Sequence, residues 1–208
     1  YRDPPINDPY KGKVIKDQGQ YEAPRFTIDA GSRALTISGR SDYILAKDRA
    51  LTPGGTLEIK AKSIRDDAGT IDAPSATVKL TATGTGTDDG IVLESGSRIL
   101  AQGIRQTPAQ GTPVYTPGGA VVLGTKNGTI AGKAGSTIDV SAADKDPNNL
   151  LAGKAGDAGR IEISAPNNTV SLDTTITGHP GGNGQGGSFK LDTGGGADLN
   201  ALSQNMAD

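Results

Sequence analysis

Three aspartates stand in nearly the same tetrapeptide. The chain reads Thr27-Ile28-Asp29-Ala30, Thr70-Ile71-Asp72-Ala73 and Thr137-Ile138-Asp139-Val140. If these segments are equivalent in a repeating fold, their carboxylates fall in one column. Two carboxylates about 5 Å apart can carry out retaining glycoside hydrolysis, and a cluster of them can hold Ca²⁺. Like charges stacked directly repel, however. The separations, 72 − 29 = 43 and 139 − 72 = 67 residues, put the three on non-consecutive turns of a repeat. The expectation is a solvated row interrupted by other residues, with no catalytic pair.

Other groups are sparse. Gly181-Gly182-Asn183-Gly184-Gln185-Gly186-Gly187 is similar to a calcium-binding nonapeptide, but Gln185 stands where a carboxylate would hold the ion. It has no Lys-Ser/Thr and no following helix, so it is not a phosphate loop. His179 precedes Pro180 in that loop and reads as exposed; as the single histidine it supports no Ser-His-Asp set. With zero cysteines there is no disulfide, thiol nucleophile or Cys-ligated zinc. Asn127-Gly128-Thr129 and Asn167-Asn168-Thr169 match the glycosylation sequon, though turns are rich in Asn in any case. Trp is absent, and Tyr43 and Tyr115 are the tyrosines of the repeat region. Tyr115 lies in a Pro- and Thr-rich insertion over residues 106–117 that should project, and it is the expected contact residue. No catalytic residue, cofactor or metal site is expected.

Such residues must be positioned by thin elements. Of 208 residues, 34% are hydrophobic, and only five Tyr and two Phe are aromatic, so the core must be built from Ile, Val, Leu and Ala. The net charge of −2 argues against a nucleic-acid partner, which needs a basic face. No apolar run approaches the roughly 18 residues of a membrane helix. Tyr1, with no initiator Met or signal peptide before it, reads as the start of a processed chain or of a fragment.

Repetition is the main signal. A Gly followed by alternating residues recurs at Gly55-Thr56-Leu57-Glu58-Ile59, Gly90-Ile91-Val92-Leu93, Gly119-Ala120-Val121-Val122-Leu123, Gly159-Arg160-Ile161-Glu162-Ile163 and Gly187-Ser188-Phe189-Lys190-Leu191. Strict alternation means strands with one face buried. It places Leu57, Ile59, Val92, Val122, Ile161, Ile163, Val170, Phe189 and Leu191 on one interior. Short strands also suit a sandwich or barrel. The recurring Thr-Ile-Asp, the scarce aromatics and the few hairpin dipeptides favour a parallel β-solenoid, in which like stacks on like. Seven or eight coils at about 4.8 Å would give a rod of about 35 Å. Residues 1–24, rich in Pro, read as an extended arm; residues 25–193 form the solenoid. Residues 194–208 read as a Gly-rich linker, followed by either a short helix capped by Asp198, over Leu199 to Met206, or a tail.

The segments Gly135-Ser136-Thr137-Ile138-Asp139-Val140-Ser141-Ala142, Ala158-Gly159-Arg160-Ile161-Glu162-Ile163-Ser164-Ala165 and Gly186-Gly187-Ser188-Phe189-Lys190-Leu191-Asp192 resemble the repeats of filamentous-haemagglutinin-like exoproteins. The resemblance covers residues 26–192. That family's secretion domain carries Asn-Pro-Asn-Leu, from which Asp146-Pro147-Asn148-Asn149-Leu150 departs, so the likeness is to the shaft. It implies a right-handed parallel β-helix, export by a two-partner secretion transporter, a place on the bacterial surface, and adhesion to a host-cell or surface receptor or glycan. Two other functions are kept open: a self-assembling filament subunit whose neighbouring chains stack end to end, and a polysaccharide-degrading β-helix enzyme.

Overall fold

A computed structural model describes residues 24–39, 53–106, 113–144 and 156–198. The chain winds through three sheets in turn. Sheet I takes β1 (Arg25–Asp29) and sheet II takes β2 (Leu35–Ser38). β3 (Thr56–Ala61), β4 (Ile64–Asp67) and β5 (Thr70–Asp72) then enter sheets I, II and III. β6 (Thr77–Ala82), β7 (Ile91–Leu93) and β8 (Arg98–Leu100) repeat that order. β9 (Arg105–Gln106) and β10 (Val114–Tyr115) form an antiparallel hairpin outside the three sheets. The winding resumes with β11 (Ala120–Thr125), β12 (Ile130–Gly132) and β13 (Thr137–Asp139), then β14 (Arg160–Ala165), β15 (Val170–Leu172) and β16 (Thr175–Thr177). β17 (Ser188–Thr193) and β18 (Ala197–Asp198) end sheets I and II.

Every pairing within the three sheets is parallel. The described residues contain no helix, and none therefore offers a helix long and apolar enough to cross a membrane. The fold is all-β with long parallel sheets, wound in the manner of a β-solenoid. A sandwich or up-and-down barrel would need antiparallel neighbours, which among the described residues occur only in the hairpin and one isolated bridge. Among the described residues sheet I has six strands. At about 4.8 Å per step it spans about 24 Å, shorter than expected. Successive strands of sheet I can start only 77 − 56 = 21 residues apart, but excursions stretch the next interval to 120 − 77 = 43. Residues spent on the hairpin do not lengthen the rod.

Register makes the core a set of columns. Phe26, Leu57, Val78, Val121, Ile161 and Phe189 stack in sheet I, and Ile28, Ile59, Leu80, Leu123, Ile163 and Leu191 stack beside them. Ile64, Ile91, Ile130 and Val170 line sheet II, and Ile71, Ile99, Ile138 and Ile176 line sheet III. All but Phe26, Ile28, Leu57, Phe189 and Leu191 are buried. Each such Val, Ile or Leu contributes about 1.5–3 kcal/mol of transfer free energy. Two residues of the expected interior face outward instead. Val92 and Val122 are only half-buried, and their neighbours Ile91, Leu93, Val121 and Leu123 point in. The strands Ile91-Val92-Leu93 and Val121-Val122-Leu123 are apolar on both faces, so alternation could not choose between the two registers. Gly90 also opens a sheet II strand, whereas Gly55, Gly119, Gly159 and Gly187 open sheet I strands.

Two glycine roles hold the coils together. A Cβ on Gly159 would lie 1.8 Å from the Gly119 carbonyl oxygen, so the rungs approach too closely there for a side chain. At the corner between sheets II and III, Gly96 and Gly135 have φ of +89° and +86°. Each is the third residue of a turn closed by Ser97 N–H donating to Glu94 O or Ser136 N–H donating to Lys133 O, which requires that conformation. Of the expected arm, only Pro24 lies within the described residues; its carbonyl accepts from Thr56 N at 2.8 Å. At the other end Gly194 and Gly195 turn the chain into β18, which Asp198 ends. The helix considered over Leu199 to Met206 lies outside the described residues.

Candidate functional site

The aspartate column separates on inspection of the register. Asp72 pairs with Leu100, Leu100 with Asp139, and Asp139 with Thr177. Leu100 therefore stands between the two carboxylates, about 9.6 Å apart at two strand spacings. Asp29 is in sheet I, opposite Lys60. Asp29 Oδ1 accepts from Gly31 N, and Asp139 Oδ1 from Ser141 N, both at 2.8 Å. These carboxylates close turns, as short acidic side chains do. No group of three His, Cys, Asp or Glu suited to a metal ion occurs among the described residues. The sequon residues also serve structure: Asn167 Nδ2 donates to Asn127 Oδ1 at 3.2 Å, and Asn168 Nδ2 to the Asn127 carbonyl at 2.8 Å. The His179 side chain is exposed, while its backbone N–H donates to Ser141 Oγ at 3.2 Å.

Tyr115 does not project. It is 5% exposed and packs with Ala143, and the Arg105 guanidinium lies 5.9 Å from its ring centre. The β9–β10 hairpin folds its ring back onto the body. An insertion rich in Pro and Thr predicted the excursion, but not which way its one aromatic would turn. Val114, next to it, is the exposed residue. The hairpin's return is pinned by Thr116, whose Oγ1 lies 2.7 Å from Ser75 Oγ and accepts from Ile104 N at 2.8 Å.

Ser75 also begins a polar groove of about 500 Å³. The groove runs along the entry to sheet I, over the glycine backbone at Gly118, Gly119 and Gly159. Thr77, Asp157, Arg160, Gln185 and Ser188 line it. Asp157 Oδ1 accepts from Gln185 N at 2.9 Å, and Arg160 Nε lies 3.0 Å from Glu162 Oε1. Hydroxyls, an amide and one charge of each sign suit hydrogen bonding to a hydroxylated or peptide-like ligand. Sequence reading missed this groove because its residues come from four separate coils. The recurring Gly before β3, β11, β14 and β17 was the one usable signal.

Beside the groove, the outer face of sheet I is tied by charge. Glu58 accepts from Arg25 Nη2 at 3.1 Å, and its other oxygen lies 3.3 Å from both Lys60 Nζ and Lys79 Nζ. Hydrogen bonds from Lys79 and Lys60 hold its carboxyl below the usual range. One carboxylate thus ties three consecutive strands, β1, β3 and β6. Inside the coil, Asp66 is fully buried at an inward position between Ile37 and Leu93. Its Oδ1 accepts from Gly69 N at 2.7 Å, and its Oδ2 has no hydrogen-bond partner. Burial pushes this carboxyl upward. No family model, curated protein or solved structure matches the chain.

Proposed function

We propose that this chain is a shaft segment of an exported bacterial surface adhesin, similar to the filamentous-haemagglutinin-like exoproteins and wound from one strand as a right-handed parallel β-helix. The unbroken six-strand parallel ladders of sheets I and II are the observation that supports this reading best. A shaft must hold its ends apart, and a stack of hydrogen-bonded rungs does so with little core per residue. A two-partner secretion transporter would export it, and it would present binding regions to host-cell or surface receptors or glycans. The groove from Ser75 to Ser188 is the contact surface we assign to a glycan, since its donors and acceptors match hydroxyl groups. The shaft is not an enzyme in this reading: Leu100 parts Asp72 from Asp139, and Asp157 is engaged by the Gln185 amide.

Beads coated with the chain test this against host cells and a glycan array. Coated beads should be retained, and Arg160→Ala combined with Gln185→Ala should reduce retention. Retention no better than that of bare beads would count against adhesion. Oligosaccharides released from a polysaccharide panel, and lost in Asp72→Asn or Asp139→Asn, would replace the shaft with the enzyme.

A further inference from the structure

The two ends of the ladder present matching surfaces. At one end, the free edge of β1 has no strand partner among the described residues, and Phe26 and Ile28 are 63% and 36% exposed. Both occupy inward columns whose other members are buried or half-buried. At the far end, β17 pairs with β14 alone among the described residues, and Phe189 and Leu191 close the same two columns half-buried. In sheet II, Leu35 opens a column and Ala197 closes it, a large residue facing a small one. We infer that the β17–β18 end of one chain docks in parallel on the β1–β2 end of a second copy, continuing the register by one step.

In that joint, Phe189 meets the second copy's Phe26, Leu191 meets Ile28 and Ala197 meets Leu35. The joint supplies edge hydrogen bonds for β1 and β17, which have no further strand partner among the described residues, and an open parallel edge is a template for another strand. The surfaces differ, so the contact is heterologous and propagates as a linear stack rather than closing as a pair. On the outer face Ser188 meets Arg25 and Lys190 meets Thr27, which are compatible. Asp192 meets Asp29, the one like-charge pair that this register imposes, and such pairs oppose association.

Sedimentation velocity of the 208-residue chain over a concentration series reads the association. The wild type should form a ladder of linear species. Phe26→Asp blocks one end and Leu191→Asp the other, so each alone should remain monomeric. Mixed, they should form a 1:1 dimer and nothing larger, because each retains one intact end. Asp192→Asn should tighten wild-type association roughly two- to fivefold by removing the like-charge pair. It also serves as the decisive variant if either aspartate variant loses its β-sheet circular dichroism. A wild type monomeric at every concentration, with its end covered by its own residues, would overturn the inference. So would a mixture that stays monomeric, or an Asp192→Asn chain that associates no more tightly.

Discussion

Val121 and Val122 are adjacent and chemically identical, but the register puts them on opposite faces of β11. Val121 is fully buried, stacked between Val78 and Ile161. Val122 is half-buried on the outer face, between Lys79 and Glu162. Truncation of Val121 to Ala removes the equivalent of two methylenes, about 1.6 kcal/mol of transfer free energy. Rungs above and below are fixed by the ladder, so the site collapses little, and a residual cavity of some 30–40 Å³ adds about 1 kcal/mol. Val121→Ala should therefore cost about 2–3 kcal/mol, lowering Tm by about 5–10 °C in a chain of this size. Val122→Ala should cost less than about 1 kcal/mol, mostly lost strand preference. Urea unfolding followed by circular dichroism measures both, and midpoints are comparable where the slope m is unchanged. Equal losses would refute the register, and a larger loss at Val122 would shift every strand of sheet I by one residue.

Three further outcomes are expected. Burial raises the Asp66 carboxyl above 3.8, so its protonated form is the one the fold favours; that contribution is full below about 3.8 and is lost as pH rises through the raised value. Asp66→Asn should thus gain on the wild type in chemical denaturation as pH rises from 3.8 through the raised value, and a constant difference would refute this. Ala68 holds a φ of 55°, which costs an L-residue roughly 1–2 kcal/mol; after the extra backbone entropy of Gly, Ala68→Gly should stabilise by about 0.5–1 kcal/mol, read as a higher urea midpoint. The Glu58 carboxyl is held below 4.5 by its cations, so its contribution is present above 4.5 and is lost as pH falls through the lowered value. Glu58→Gln should flatten the acid limb of the stability curve and reduce its sensitivity to salt; an unchanged limb would show that the ion cluster is inert.

Much of the fold was legible because a solenoid repeats its instructions. Ile161 and Ile163, separated by Glu162, can bury only one face, and they do. The failures have local causes. Val92 and Val122 lie in strands apolar on both faces, where period-two reading has no contrast to use. The ladder of the described residues is shorter than length alone suggests because sequence length counts excursions, whereas ladder length does not. Tyr115 was assigned to the surface because its segment leaves the coil, but a hairpin can return a side chain to the body it left. Asp72 and Asp139 do share a column, as the repeated tetrapeptide indicated, and the intervening rung carries Leu100. Like stacks on like only when every coil carries the same tetrapeptide.

Asp66 shows how a local departure and a repeating rule coexist. The alternation Ile64-Arg65-Asp66-Asp67 already puts an aspartate on the inward face, so its burial was legible, though not its reason. The reason lies in the corner that follows. In the third and fourth coils residues 94–97 and 133–136 bridge sheets II and III, and Ser97 N or Ser136 N closes the turn on a backbone carbonyl. In the second coil only residues 67–69 bridge the same gap. With one residue fewer, the closing amide, Gly69 N, is met by the Asp66 side chain at 2.7 Å. The Asp66 carbonyl meanwhile accepts from Glu94 N and from Ser97 Oγ of the next coil. A leucine at position 66 would match Leu93 in the column and leave Gly69 N without its acceptor. The buried carboxylate is thus the local solution to a short corner. Its unpartnered Oδ2 is the cost, because a side chain that supplies one acceptor to a turn must bury two oxygens to do so.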